Sequence, residues 1–166
     1  MMHVVNVTKD LAATYLRKGL EKTSKARSRT KTHGTMNISY GINSSVNPSE
    51  LVSLFKNSGI RRPTNMGRIG KMITNSNLII SARRDGKLVG ILRALTDFSY
   101  ACYVSDLAVD RKYQDKGIGK ELVKLARKVL GENVMILLLS SKEADEFYHH
   151  IGFEKAENAW RLPRKK

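Results

Sequence analysis

Residues 105–119 read SDLAVDRKYQDKGIG. With Val104 ahead of it, the stretch begins as an apolar strand that runs to Val109. It then becomes a polar turn holding Gln114, Asp115, Lys116, Gly117 and Gly119. A helix must open at once, because Ile118, Leu122, Val123, Ala126, Val129 and Leu130 recur at helical spacing on one face. A strand that feeds a Gly-containing turn at the head of a helix is a device for holding phosphate. The first turn of a helix carries four unpaired N–H groups and the positive end of the dipole, and glycines let an anion approach the backbone closely. Lys116 and Lys120 add two cations beside that turn.

Three phosphate-binding patterns compete for this turn. A Walker loop needs Ser or Thr after its lysine, where Glu121 follows Lys120. A dinucleotide fingerprint needs a third glycine at the position of Leu122. What remains is Gln114-x-x-Gly117-x-Gly119 after a strand, and this resembles motif A of the GNAT superfamily of acyl-CoA N-acyltransferases. A second stretch, Ala144-x-x-Phe147-Tyr148-x-x-x-Gly152-Phe153, resembles that superfamily's motif B. The resemblance covers about residues 37–162, and the stretches DGKLVGILRALTDF, SDLAV and FYHHIGF are similar to small-molecule amine acetyltransferases.

Outward from the central stretch, the chain punctuates itself clearly. Asn37 to Ile42 is expected to form a first strand. Asn47-Pro48-Ser49-Glu50 is a helix start, with Asn as cap, Pro at the first position and Glu three residues after the cap. A weaker helix is expected over Thr64 to Thr74, where Gly67 and Gly70 each lower the propensity by about 1 kcal/mol. Leu78 to Arg84 and Lys87 to Ala94 are strand-like and joined by Asp85-Gly86, a tight-hairpin signal. Tyr100 to Val109 completes the meander, and Gly131 is the expected end of the following helix. Val134 to Leu139 is continuously apolar, as for a strand covered on both faces and parallel to its neighbour. A helix over about Lys142 to His150 and a last strand near Trp160 to Leu162 give the order β-α-α-β-β-β-α-β-α-β. The expected fold class is α/β (α+β): a mixed, mainly antiparallel sheet with helices on both faces. The resemblance adds a splay between strands 4 and 5.

Residues 1–35 hold eight Lys or Arg against Asp10 and Glu21. They are expected to be a flexible extension, or to precede the true start at Met36, with residues 36–166 as the acetyltransferase domain. Over the whole chain 30 Lys and Arg face 15 Asp and Glu, a net charge of +15. That balance suits nucleic acid, an anionic surface or a phosphate-rich co-substrate alike. No recognised nucleic-acid motif or aromatic-basic strand is present, which counts against the first. The lone Cys102 suits a reducing cytoplasm, and no apolar run is long enough for a membrane span.

The resemblance implies acetyl-CoA as co-substrate and a primary amine as acceptor, of a small molecule or alternatively of a protein; the single Cys and the lack of a further His cluster lead us to expect no metal. It implies that the backbone of Leu107, Ala108 and Val109 meets the pantetheine. The pyrophosphate would rest on the N–H groups of Gln114, Asp115, Lys116, Gly117, Ile118, Gly119 and Lys120. Ser141 stands where many members carry an Asn that touches the co-substrate. Tyr148 matches the general acid for the departing thiolate, and a phenol pKa of about 10 lies near that of a thiol. Asp106 is a candidate base or holder of the amine, with a structural pair to Arg93 as the competing reading. Tyr103 occupies the position where other members carry a Glu base. Arg61, Arg62 and Arg93 are candidates for substrate contact at the acceptor cleft. His149 and His150 are adjacent on a helix and therefore point about 100° apart, which suits no metal pair. Homodimers are common in the superfamily, so a dimer is a further expectation. A nucleic-acid-binding module and an acyl-CoA sensor without turnover are the rival functions.

Overall fold

The hairpin signal at the middle of the chain sets the sheet. Asp85 and Gly86 both adopt positive φ, 49° and 77°, the pair of left-handed residues that a two-residue turn needs to match the strands' twist. The turn joins β2 (Leu78–Arg84) to β3 (Lys87–Thr96), and β4 (Ala101–Val109) returns antiparallel beside β3. β1 (Ser39–Ile42) lies antiparallel outside β2, and β5 (Met135–Leu138) lies parallel outside β4. The computed structural model describes residues 37–165, and these five strands stand in the order β1-β2-β3-β4-β5. The extension over residues 1–35 lies outside the described residues.

Helices cover both faces, as expected. Helix α1 (Pro48–Ser58) starts where the capping residues direct, with the Glu50 carboxylate accepting from the Asn47 N–H at 2.9 Å. The same carboxylate takes Arg83 Nη2 at 2.6 Å, tying α1 to β2. Helix α2 (Met66–Thr74) is capped by the Asn65 side chain, which accepts from the Arg68 N–H at 2.9 Å. Together they pack Leu51, Leu54, Phe55 and Ile69 onto Ile79, Leu88, Ile91 and Ala108. On the opposite face α3 (Ile118–Leu130) presses Ile118, Leu122 and Ala126 against Ile80, Val89, Leu92 and Val104. Gly90 makes that approach possible: a Cβ there would stand 3.1 Å from Ile118 and 3.3 Å from Leu122. Each fully buried Leu in these layers is worth about 2–5 kcal/mol against Ala.

β4 does not keep one register. Arg93 faces Asp106 and Ala94 faces Val104, so Ser105 is an extra residue, a β-bulge. Before it, Cys102 and Val104 belong to the α3 core; after it, Leu107 and Val109 pack on that core while Ala108 joins the α1–α2 core. The bulge thus carries Asp106 onto the α1–α2 face.

Three expectations need correction. There is no strand at Trp160 to Leu162: Trp160 is 99% and Leu162 96% exposed. The apolar run is two residues long, interrupted by Arg161 and closed by Pro163, which has no N–H to offer a ladder. β5 is parallel to β4 but is an edge strand not covered on both faces, since Met135 is 56% and Leu139 57% exposed. The helix expected from Lys142 divides into a 3-10 turn, Lys142–Ala144, and α4 (Asp145–His150).

Candidate active site

Pairing between β4 and β5 ends at Val104 and Leu138, yet β4 continues for five more residues. The edge of β4 beyond the bulge is therefore open. Alternate residues of a strand aim their backbone groups at opposite neighbours. The Asp110 N–H is bonded to the Val89 carbonyl at 2.9 Å, so Ala108 turns to β3 while Leu107 and Val109 turn to the opened edge. The Val109 carbonyl is taken by the Gln114 side-chain amide at 2.9 Å. Leu107 is left as the residue that offers both a free N–H and a free C=O along this edge.

The open edge runs directly into the turn. Asp110 steers it: its Oδ1 accepts from the Lys112 N–H at 3.0 Å, and its Oδ2 takes the Asn57 amide at 3.0 Å from α1. Asp115 and Gly117 both hold positive φ, 59° and 78°, which curls successive N–H groups toward one side. No side chain caps α3, and a Cβ built on Gly117 would meet nothing within 4 Å. The Gln114 N–H points back to the Arg111 carbonyl at 3.4 Å, so the anion cradle begins at Asp115. Lys120 is exposed beside it. Lys116 Nζ bonds the Lys112 carbonyl at 2.9 Å and lies 5.5 Å from the Tyr113 ring centroid.

On the α1–α2 side of the bulge sits a buried charge cluster. The Asp106 carboxylate is wholly buried and is shared by two arginines: Arg93 Nε donates to Oδ2 at 2.6 Å and Arg62 Nε donates to Oδ1. Arg93 spends its other donors on Ser76 Oγ at 2.8 Å, the Met72 carbonyl at 3.3 Å and Ser105 Oγ at 2.6 Å. Arg62 Nη2 donates to the Ser105 carbonyl at 2.9 Å. Among the described residues no buried side-chain polar atom lacks a partner.

Tyr148 lies half-buried on α4, with Phe147 and Phe153 packed edge-on at 5.2 Å and 5.6 Å. Burial pushes its phenol above the ordinary tyrosine range, and the Arg62 charge partly opposes the rise. Arg62 thus stands near both the bulge and the phenol. Phe147 also reaches the turn, its Cζ standing 3.1 Å from where a Gly119 Cβ would be. A side chain at Gly119 would press on the Phe147 ring, so α4 lies close against the head of α3.

An opened parallel edge that leads into an uncapped, glycine-containing helix start presents unpaired backbone groups along one continuous line. A family model for the acetyltransferase (GNAT) domain matches residues 55–161, more than half of the chain. The chain belongs to the GNAT acetyltransferase family. Similar proteins include GCN5-related N-acetyltransferase 2, chloroplastic, of Arabidopsis thaliana, 36% identical over 43% of this chain and 29% of that one. Histone acetyltransferase TAP1 of Glycine max is 30% identical over 57% of this chain and 46% of its own. This GNAT chain therefore spans under half the length of either plant protein. A solved aminoglycoside N-acetyltransferase, AAC(6')-Iy, in complex with CoA has the same fold, with a TM-score of 0.59. It is 14% identical, over 78% of this chain and 96% of that one.

The GNAT frame sorts the residues singled out in the sequence. Leu107, Val109 and the turn from Asp115 to Lys120 line one continuous backbone path, and Ser141 is exposed at the head of the turn before α4. Asp106 and Arg93 form the buried pair weighed against a catalytic role, with Arg93 5% exposed. Arg62 is at the cleft, and exposed Arg61 lies near Glu143, whose carboxyl it helps to lower after that group's own hydrogen bonds. His149 and His150 are exposed, and His150 Nδ1 is 2.6 Å from the Glu146 carbonyl. Ser105 was missed in the sequence. Every second residue from Cys102 to Ala108 is buried, so nothing in the pattern signals that the faces exchange.

Proposed function

We propose that this chain is an acetyl-CoA-dependent N-acetyltransferase that acetylates a primary amine of a small molecule by direct transfer in a ternary complex. The observation that carries the reading is the continuous path from the opened edge at Leu107 to the uncapped start of α3. Family membership and the CoA complex of a fold relative support the same choice. Acetyl-CoA would supply the activated acyl carbon and a thiolate leaving group.

The chain's own groups have distinct tasks. The Leu107 N–H and C=O hold an extended amide-bearing arm as a further strand would be held. The N–H groups from Asp115 to Lys120, with Lys120, hold a pyrophosphate. Transfer forms one C–N bond and breaks one C–S bond; the amine loses a proton and the sulfur gains one. Tyr148 is the donor to sulfur, because a buried phenol stays protonated at neutral pH. Asp106, locked between two guanidiniums, positions Arg62 rather than meeting the amine. Cys102 is 1% exposed within the α3 core, and burial pushes its thiol up, which suits direct transfer over an acyl-cysteine.

Calorimetry with acetyl-CoA tests the reading on wild-type protein and Gly117→Glu. The left-handed backbone and the added anion should abolish binding in the variant. Thiol release with any primary amine should then accompany binding in the wild type. Wild-type protein that ignores acetyl-CoA overturns the proposal.

A further inference from the structure

A cleft of about 500 Å³ opens beside the loop between α1 and α2, and Arg62 is part of its wall. The rest of its lining includes Phe55, Ile60, Pro63 and Thr64, with Lys56, Arg61, Arg68 and Arg164 supplying charge. Five of the nine lining residues are cationic and none is acidic. Arg62 is engaged with Asp106 and Ser105, but Lys56, Arg61, Arg68 and Arg164 form no ion pair among the described residues. Glu143 stands near Arg61 but does not line the cleft.

Position connects this cleft to the transfer site. The Arg62 guanidinium donates to the Ser105 carbonyl, two residues ahead of Leu107 on the opened strand, and its charge reaches Tyr148. A molecule seated in the cleft would touch Arg62, which is itself bonded to the opened strand. Gathering like charges around a cavity costs free energy, which an anion entering the cavity recovers. A polycation would add to the cost. Aminoglycosides and histones, which appear in the names of two similar proteins, are polycations and have the wrong sign for these walls.

Resting on the acetyltransferase reading, we propose that the acceptor is an amine that carries an anion, a carboxylate or a phosphate, beside the nitrogen to be acetylated. Arg61, Arg68, Lys56 and Arg164 hold that anion while the amine faces Leu107 and Tyr148. The phenylalanine and isoleucine at the back give the cleft an apolar floor for a short carbon chain.

The test uses the full chain, acetyl-CoA and three amine sets matched in size: carboxylate-bearing, phosphate-bearing and polycationic. One of the two anionic sets should exceed the polycations in kcat/KM by at least about tenfold, the worth of one charge-assisted contact. Which anionic set wins separates carboxylate from phosphate. Arg68→Gln should raise KM for that acceptor about tenfold while leaving the KM of acetyl-CoA unchanged. Highest activity on polycations, or a rise in the acetyl-CoA KM instead, overturns the proposal. A binding arm separates it from the underlying reading. Phosphoethanolamine and glutamate are titrated calorimetrically into wild type and Arg68→Gln without acetyl-CoA. Binding lost in the variant supports an anion-holding cleft even where no transfer occurs, and no binding of either probe to wild type overturns it.

Discussion

Tyr148 and Asp106 are both polar residues in a partly apolar setting, and their surroundings give them different work. Tyr148 is set between two phenylalanine rings and faces one guanidinium, so burial raises its pKa and the Arg62 charge restrains the rise. An acid whose pKa is raised keeps its proton to higher pH. The alkaline limb of kcat should therefore lie above that of a free phenol, about 10. Tyr148→Phe should lower kcat about 10²-fold, remove that limb and leave acetyl-CoA affinity intact. Stopped-flow thiol release across pH, with calorimetry on the same samples, checks all three. Asp106 has the opposite character, a carboxylate with no exposed surface and two fixed cationic partners. Asp106→Ala strands the buried Arg93 charge and should cost about 3–5 kcal/mol in urea denaturation. The paired change Asp106→Leu with Arg93→Met should recover much of that loss, because the buried Arg93 charge is then gone and Arg62, which is partly exposed, can turn to water.

At the scale of elements, the bulge in β4 decides which face carries the charge cluster. One extra residue, Ser105, moves Asp106 from the α3 core to the α1–α2 face, where Arg62 and Arg93 wait. Deleting Ser105 leaves Val104 opposite Ala94 and Asp106 opposite Arg93 in an unbroken two-residue period, so both flanks keep their faces and only the bulge's own hydrogen bonds to Arg93 and Arg62 are lost. That variant should therefore keep a cooperative unfolding transition in urea. Ser105→Ala keeps the bulge and loses one hydrogen bond to Arg93, so it should cost only about 1.5–3 kcal/mol. Loss of the cooperative transition on deletion would show that the fold depends on the extra residue itself rather than on the pairing of its flanks. The elements best marked in the sequence were those with local signals: the Asp85-Gly86 turn, the Asn47–Glu50 start of α1 and the Gly131 end of α3, where the Gly131 N–H bonds the Arg127 carbonyl at 2.8 Å. Each depends on φ preference or a cap a few residues away. The bulge, and the absence of a strand at Trp160 to Leu162, depend on what stands across the sheet.

For the molecule as a whole, the excess of 15 positive charges is an energetic load as well as a clue. Like charges on one compact body repel, and salt relieves the repulsion by shortening its range. Thermal unfolding should therefore shift to higher temperature between about 0.01 M and about 0.15 M sodium chloride. A midpoint that falls with salt would mean that exposed pairs such as Glu121–Lys124 outweigh the repulsion. The Glu50–Arg83 link acts at the same scale by joining α1 to β2. Its carboxyl is lowered chiefly by the Arg83 hydrogen bond, so its contribution is present above the ordinary carboxylate pKa and fades as pH falls through the lowered value.

The sequence by itself determined the order of elements from β1 to α4, the hairpin, the glycine-containing turn at the head of α3 and the family, because helical periodicity, capping residues and glycine positions are local properties of the chain. The tertiary structure alone decided that Asp106 is shared by two arginines, that Ala108 turns away from the open edge, and that cations from two helices, a loop and the tail meet in one cleft. Those facts depend on register and on strand pairing that stops at Val104. Neither is encoded in neighbouring residues; both arise when distant segments compete for the same hydrogen bonds and the same buried space.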